Sequence, residues 1–186
     1  MRIYIVRHGK ATDGGTACCG SGRCCGGSDF DRELTARGES QAKFLASRLG
    51  GADRRIGMIV SSRFPRALQT SHAIQPALGC AIQTDTRLEV DHDVSEALSI
   101  IHDHAGDKAV MLVGHNPQLG ELISVLCSGL PPQELILKTG ELVAVDVRAN
   151  QLVGSGRIVE RLRLDDSQAD DSMIASPMAM AGARKP

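Results

Sequence analysis

The sequence is poor in aromatic residues, with one Tyr, three Phe and no Trp among 186 residues. Proteins bind single-stranded nucleic acid largely by stacking bases on aromatic side chains. The formal net charge of −1 also supplies no overall basic field. We therefore expect no nucleic-acid partner. Hydrophobic residues still make up 42% of the chain, so the core must be built mainly from aliphatic residues and Met.

Long apolar runs are lacking as well. No stretch of 18 or more apolar residues occurs, which argues against a membrane span. The apolar segment at the N-terminus runs directly into Arg7 and His8, without the small-residue cleavage site of a secretory signal. We expect a cytoplasmic protein that makes no contact with a membrane.

The six cysteines divide into a cluster, within a Gly-rich loop at about residues 12–28, and two isolated positions. The cluster is Cys18, Cys19, Cys24 and Cys25, and the isolated residues are Cys80 and Cys127. A disulfide framework is not expected in a cytoplasmic chain of this size. Adjacent cysteine pairs converge on a tetrahedral ion less readily than Cys-x-x-Cys knuckles do. We expect a reduced, flexible loop without metal, with a zinc site and a redox switch as the alternatives.

Strand-like and helix-like apolar patterns alternate along the chain. Strands are predicted at 2–7, 56–61, 81–84, 109–114, 142–147 and 157–164, and helices at 35–49, 65–75, 94–105 and 116–128. Pro76 is expected to end or kink the second helix. The alternation predicts an α/β fold, a three-layer α/β/α sandwich with a mostly parallel sheet. One domain is expected over residues 1–164, followed by a disordered tail at 165–186 that has little apolar surface to bury.

Polar residues follow three of the predicted strands, at the ends where ligands bind in α/β sheets. The three segments are Arg7-His8-Gly9, Ser61-Ser62 with Arg66, and Gly114-His115-Asn116. Guanidinium groups match phosphate oxygens. We expect Asn116 to cap a helix whose first residue is Pro117, which would place an anion-binding helix N-terminus beside His115. The set predicts a phosphoryl-binding pocket in which a histidine attacks phosphorus or stabilises the departing charge.

Four segments resemble motifs of the histidine phosphatase superfamily, in the order in which the family has them. They are IVRHGKA at 5–11, LTARGESQA at 34–42, SSRFPRALQT at 61–70 and VGHNP at 113–117. The RHGKA form, the GHNP turn and the short chain are most similar to SixA-type phosphohistidine phosphatases. The resemblance implies a phosphoglycerate-mutase-like fold and a phosphatase that needs no metal and no cofactor.

The resemblance also implies a role for each polar residue at the predicted strand ends. His8 would be the nucleophile and become a phosphohistidine. It must be neutral to attack, and neighbouring Arg charges favour that form. The phosphoryl oxygens would be held by Arg7, Arg66 and His115, aided by the backbone at Gly9 and Asn116.

The sequence departs from the family pattern at Arg63, where the family has proline. The first candidate for the family's leaving-group acid is Glu89, within the acidic stretch 87–93, and the alternative is that this stretch is a solvated acidic turn. The imidazole that leaves when a labile P–N bond breaks needs less protonation than an alkoxide does. We therefore expect a phosphorylated protein that carries phosphohistidine as the favoured substrate. A phosphatase of small phosphorylated metabolites and a non-catalytic phosphate-binding module are the alternatives.

Overall fold

The computed structural model describes residues 1–13, 28–50, 54–133 and 135–164. The predicted cysteine cluster and the predicted tail at 165–186 lie outside the described residues. Within the described ranges, no helix is both long enough and apolar enough to cross a bilayer.

Six strands of the described chain form one mixed sheet. They are β1 (Arg2–Arg7), β2 (Ile56–Ser61), β3 (Ala81–Thr84), β4 (Ala109–Gly114), β5 (Leu142–Asp146) and β6 (Arg157–Leu162). Their spatial order is β3-β2-β4-β1-β5-β6. Strands β3, β2, β4 and β1 pair in parallel with one another in that order. Strand β5 pairs antiparallel with β1, and β6 pairs antiparallel with β5. This arrangement confirms the predicted mostly parallel sheet.

Helices cover both faces of the sheet, as the three-layer prediction requires. They are α1 (Ala36–Leu49), α2 (Pro65–Leu78), α3 (Val94–Asp103) and α4 (Gln118–Ser128). Side chains alternate along β1, so that Ile3 and Ile5 pack in the core under α3 and α4, and Tyr4 and Val6 pack in the core under α1 and α2. The buried central strands are apolar on both faces because both faces are covered.

The prediction that Pro76 ends or kinks the second helix is wrong about the helix end. Helix α2 continues past Pro76 to Leu78 and ends at Gly79, whose φ of 67° is left-handed. Proline removes one backbone hydrogen bond from the helix. Burial of Ile74 and partial burial of Leu78 against the sheet offset that loss.

The predicted cap of the fourth helix is also wrong. Helix α4 begins at Gln118, and Pro117 occupies the position before the first helical residue. The side chain of Asn116 makes no cap, because its Nδ2 instead donates to the carbonyl oxygen of Leu137 at 3.0 Å. Asn116 therefore fastens the segment before β5 to the end of β4, and its sequence preference for capping is overridden by a tertiary contact.

Candidate active site

The carboxyl ends of β1, β2 and β4 lie side by side at one edge of the sheet, since these strands are neighbours and parallel. A cavity of about 380 Å³ opens at that edge. Its walls include the predicted residues Arg7, His8, Arg66, His115 and Asn116. Three segments that are far apart in sequence thus meet in one site, as the strand-end pattern predicted.

His8 is buried, and the hydrogen bonds of its two ring nitrogens define its tautomer. Nδ1 lies 2.7 Å from the carbonyl oxygen of Gly9, an acceptor, so Nδ1 carries the proton. Nε2 then presents a lone pair, and it accepts from Nε of Arg66 at 3.3 Å. Burial, and then the charges of Arg66 and Arg7, together lower the pKa of His8 to about 4, against the raising effect of the hydrogen bond to the Gly9 carbonyl. The ring is therefore neutral at pH 7.

His115 lies beside His8, with 4.9 Å between the ring centroids. Its Nε2 is 2.9 Å from Oγ of Ser62. Burial, followed by the influence of His8 and Arg66, lowers the pKa of His115 to about 2. The buried Nδ1 atom of this ring has no hydrogen-bond partner among the described residues.

Arg66 is the second residue of α2 and is buried, so that its guanidinium group lies at the end of β2. Besides His8, it contacts Asp29. Its Nη1 donates to the Asp29 carbonyl oxygen at 2.6 Å and its Nη2 to the Oδ2 carboxylate oxygen at 2.8 Å. The guanidinium carbon also lies 4.7 Å from the ring centroid of Phe64.

Arg7 reaches the segment before β5. Its Nη1 donates to the Leu137 carbonyl oxygen at 2.6 Å, while its buried Nε has no partner among the described residues. Strand β5 begins at this edge because it is antiparallel to β1, which explains why residues 137–141 reach the site. Burial lowers the pKa of both Arg7 and Arg66, yet a guanidinium group stays charged in a protein.

Helix α1 supports the segment after His8. Thr35 donates from Oγ1 to the Lys10 carbonyl oxygen at 3.0 Å, and Gln41 accepts from the Lys10 N–H at 2.8 Å. The backbones approach so closely that a Cβ on Gly9 would lie 2.6 Å from the Gly38 carbonyl oxygen, and one on Gly38 would lie 2.2 Å from that of Lys10. Both glycines are required by this crossing of backbones.

Helix α2 supports the same segment from the other side. Thr70 accepts from the Gly9 N–H at 3.1 Å and donates to the Arg66 carbonyl oxygen at 2.7 Å. The backbone at Gly9 is predicted to help hold the phosphoryl oxygens, and its N–H is engaged by Thr70. One hydroxyl thus couples the segment after His8 to the helix that carries Arg66.

Glu89, the candidate acid, lies in a cavity next to the one that contains His8. The two cavities share the walls formed by Val90, His115 and Asn116. Nε of Arg63 donates to Oε1 of Glu89 at 2.5 Å. The residue that replaces the family's proline therefore binds one of the two carboxylate oxygens of the candidate acid.

Sequence reasoning gave no role to several residues that organise the site. Gln41 lies within the motif at 34–42 and Thr70 within the motif at 61–70, so the sequence contains a signal for both residues. Ser62 was placed at the strand end without a role. Asp29 and the carbonyl of Leu137 had no signal, because both reach the site through tertiary structure alone.

A parallel sheet edge that carries two neutral histidines and two guanidinium groups defines an enzyme that handles phosphoryl groups. In the described part of the chain, no group of three or more His, Cys, Asp or Glu is placed to hold a metal ion. Residues 3–92 match the histidine phosphatase superfamily (branch 1). The chain belongs to the histidine phosphatase superfamily and is an enzyme that hydrolyses phosphate esters.

Individual relatives agree with this assignment. The chain is 30% identical over 148 residues to an uncharacterised protein of Picosynechococcus sp., with 78% of this chain and 84% of that protein covered. It is 25% identical over 154 residues to phosphohistidine phosphatase SixA of Escherichia coli K12, with 81% and 89% covered. A solved structure of the protein histidine phosphatase SixA complexed with tungstate matches with a TM-score of 0.71 and 25% identity, over 88% of this chain and 97% of that one. The chain is of the SixA type within its superfamily.

Proposed function

We propose that this enzyme removes the phosphoryl group from phosphohistidine in a phosphorylated protein, through a covalent phosphohistidine on its own His8. The observation that carries the proposal is the state of His8. Its Nδ1 proton is held by the Gly9 carbonyl, and its Nε2 lone pair lies in the cavity wall beside the Arg66 guanidinium group. A neutral imidazole with a fixed lone pair is the nucleophile that such a transfer needs.

In the first step, Nε2 of His8 attacks phosphorus while the P–N bond of the substrate breaks. The leaving imidazole nitrogen keeps the bonding electron pair and takes up a proton from solvent, and the water that attacks in the second step returns a proton to solvent. Arg66 and Arg7 stabilise the charge on the phosphoryl oxygens. The phosphorylated ring of His8 becomes cationic, and its Nδ1–H then donates a charge-assisted bond to the Gly9 carbonyl.

In the second step, water attacks phosphorus and the bond to Nε2 breaks, which releases inorganic phosphate and restores neutral His8. Buried polar atoms around the site support the oxyanion part of the proposal. Arg7 Nε and His115 Nδ1 have no hydrogen-bond partner among the described residues, and a buried N–H without a partner, as at Arg7 Nε, is uncommon. Phosphoryl oxygens are the acceptors that would satisfy such groups.

Two observations favour phosphohistidine over phosphate esters of alcohols as the substrate. Arg63 binds Glu89, the proposed acid, and an alkoxide leaving group depends on such an acid more than an imidazole does. The SixA relative of Escherichia coli K12 is named a phosphohistidine phosphatase, and the SixA of the tungstate complex is named a protein histidine phosphatase. We propose the cytoplasm as the location, since Cys80 and Cys127 are free thiols, as is usual in a reducing compartment.

The test compares His8→Asn with the control His72→Asn, which replaces an exposed histidine of α2. Each protein is mixed with a phosphohistidine peptide, a sugar phosphate and nitrophenyl phosphate, and acid-labile protein-bound phosphate is trapped by rapid quenching. We expect wild type and control to turn over the peptide fastest and to trap phosphate, and His8→Asn to lose at least a thousandfold in rate with no trapped phosphate.

Other results of the same assay would contradict the proposal. Preference for the sugar phosphate would identify a small-metabolite phosphatase. Phosphate binding without turnover in wild type would identify a phosphate-binding module. Turnover that survives in His8→Asn would exclude His8 as the nucleophile.

A further inference from the structure

A second cavity, of about 260 Å³, adjoins the active-site cavity. It lies between the segment 89–93, which leads into α3, and the segment 115–118 together with Glu121, where α4 begins. The wall residues that the two cavities share are Val90, His115 and Asn116. The ring centroid of His115 is 4.9 Å from that of His8, so one imidazole ring separates the second cavity from the proposed nucleophile. We call this second cavity the acidic cavity.

The charged groups that line the acidic cavity are carboxylates. The four carboxylates are those of Glu89, Asp91, Asp93 and Glu121. No Lys or Arg of the described chain lines the cavity. Arg63, which lies outside it, pairs with Glu89. The ring of His92 binds the Glu96 carboxylate, so a positive charge on this ring would be matched outside the cavity. An ion pair therefore accounts for Glu89 alone among the four carboxylates.

Two of the other carboxylates have no partner in the part of the chain that the structure describes. Asp93 accepts from the Ser95 N–H at 2.8 Å and so caps α3, although this bond brings no positive charge. The carboxylates of Asp91, which is exposed, and Glu121, which is partly buried, take part in no hydrogen bond or ion pair with another described residue. A cation in the cavity would therefore meet two carboxylates that are not already neutralised.

The side chain of Gln118 is independent evidence that the acidic cavity binds a hydrogen-bond donor. Gln118 lies in the cavity wall and is only 3% exposed. Its Nε2 donates to the carbonyl oxygens of Arg87 at 2.7 Å and Asp93 at 2.9 Å, which fixes the amide. Its buried Oε1 has no partner among the described residues, and the same is true of Oδ1 of Asn116 in the same wall. Buried acceptors without a donor are uncommon, so a donor supplied by a ligand explains both.

We propose that the acidic cavity binds the guanidinium or ammonium group of a basic residue that lies close to the phosphohistidine in a protein substrate. This inference rests on the proposed function and adds to it the sequence around the target histidine. Such a cation carries several N–H donors and no acceptor, so it matches a wall of carboxylates and amide oxygens.

The position and the residue types of the acidic cavity suit this occupant. An extended chain advances about 3.3 Å per residue, so a residue one or two positions from the phosphohistidine spans the width of one imidazole ring. In the described ranges, no group of three or more His, Cys, Asp or Glu is placed to hold a metal ion, which favours an organic cation over a metal. The unpaired carboxylates also repel a second phosphate group on a small metabolite.

The test uses the double variant Asp91→Asn/Glu121→Gln, which removes both unpaired charges and keeps the side-chain sizes. Asn also tolerates the left-handed φ of 69° at position 91. The control Glu39→Gln/Asp107→Asn makes the same two changes on α1 and before β4, at residues that line neither cavity. The substrates are two phosphohistidine peptides of equal length, one with two Arg on each side of the phosphohistidine and one with Gln instead. A small phosphoramidate reports the chemical step alone.

We expect wild type and control to prefer the Arg peptide by about three- to tenfold in kcat/KM at low salt, mostly through KM, since exposed ion pairs are each weak. The cavity variant should lose this preference and retain its rate on the small phosphoramidate. The preference of wild type should also shrink in 0.5 M salt, which screens exposed charges. Absence of a preference in wild type, its survival in the cavity variant, or an equal loss in the control would overturn the inference.

A binding measurement separates this inference from the proposed function. Titration of isotope-labelled protein with the amide of N-acetylarginine requires no catalysis, so the cavity can be tested even if no phosphohistidine is hydrolysed. We expect the NMR signal of the Gln118 side-chain amide to shift in wild type and control, and to need a severalfold higher probe concentration in the cavity variant. An equal response of all three proteins, no response in wild type, or a response to magnesium chloride but not to the arginine probe would overturn the inference.

Discussion

Asp29 occupies the outer side of the Arg66 guanidinium group, with its carbonyl oxygen 2.6 Å from Nη1 and its Oδ2 carboxylate oxygen 2.8 Å from Nη2. Nε of the same group donates to His8, so each of its three nitrogens already has a partner. Hydrogen bonding by Arg32, and then by Arg66, holds the pKa of Asp29 below its usual value, so Asp29 is anionic. A phosphate that binds Nη2 therefore competes with the Asp29 carboxylate for the charge of this guanidinium group.

We predict that Asp29→Asn binds inorganic phosphate about three- to tenfold more tightly than wild type. The amide removes the negative charge that competes for the guanidinium group, and a partly exposed ion pair of this kind is worth about 1 kcal/mol. Product inhibition by phosphate, measured as Ki, checks the change. Asp31→Asn removes the same charge from the same turn, away from the Arg66 contact, and should leave Ki within twofold of wild type. Equal Ki in all three proteins would show that Asp29 does not compete.

The acid limb of the rate profile follows from the neutral state of His8. Burial and the Arg charges lower its pKa to about 4. Nε2 therefore keeps its lone pair at pH values well below the usual pKa of histidine. We predict that kcat/KM on a phosphohistidine peptide, corrected for uncatalysed hydrolysis, falls as the pH passes through about 4. Titration of isotope-labelled His8 by NMR measures the same protonation directly. A midpoint near 6.5 in both measurements would contradict this account.

The free energy of unfolding should also decline in acid, because His8 and His115 are both buried in the neutral form. Between the unfolded pKa of about 6.5 and the folded value of about 4, the unfolded chain binds a proton at position 8 that the folded chain does not bind. The contribution of His8 to the free energy of unfolding is fully present above pH 6.5. It decreases by about 3 kcal/mol as the pH falls to 4. His115, with a pKa of about 2, adds a decrease that continues to lower pH.

Urea unfolding at pH 7 and pH 4.5 measures this decrease. His115→Asn removes one of the two groups, so its loss of stability between the two pH values should be about half that of wild type. His72→Asn, at an exposed site, should lose as much as wild type. An equal loss in all three proteins would assign the acid sensitivity to groups other than the buried histidines.

The order of elements and the meeting of the three strand ends could be predicted from the sequence, because apolar periodicity and the motifs are local signals. The start of α4 could not, since Asn116 and Pro117 carry a strong local cap signal that the contact with Leu137 overrides. The role of Asp29 has the same origin, because it reaches Arg66 from a remote turn. Local patterns thus located His8, the proposed nucleophile, whereas its charged surroundings depend on tertiary contacts.

A substitution at Gly38 tests how strictly the backbone after His8 is held in place. A Cβ at this position would lie 2.2 Å from the Lys10 carbonyl oxygen, so Gly38→Ala must push the segment after His8 away from α1. We predict a loss of about 1–3 kcal/mol in stability, seen as a fall of roughly 3–10 °C in Tm, and a larger relative loss in kcat. Gly106→Ala is the control, because no atom lies within 4 Å of its added Cβ. A normal Tm and kcat in Gly38→Ala would show that the crossing of backbones relaxes freely.

The Arg63–Glu89 pair makes the choice of leaving group testable. Arg63 donates to Oε1 of Glu89 at 2.5 Å, and the cavity that holds Glu89 shares His115 and Asn116 with the active site. We predict that Arg63→Gln, which releases this carboxylate, raises kcat/KM on an alkyl phosphate about three- to tenfold and leaves a phosphohistidine peptide within twofold. The alkoxide gains from protonation, whereas the imidazole depends on it little.

Glu89→Gln, alone and combined with Arg63→Gln, completes the cycle of variants. If Glu89 is the acid, the gain on the alkyl phosphate disappears in the double variant, since the amide has no proton of suitable acidity to donate. Arg87→Gln is the charge control, because this neighbouring arginine binds Asp85 and Asp103 rather than Glu89. A gain that survives in the double variant would exclude Glu89 as the acid and attribute the effect of Arg63 to its charge alone.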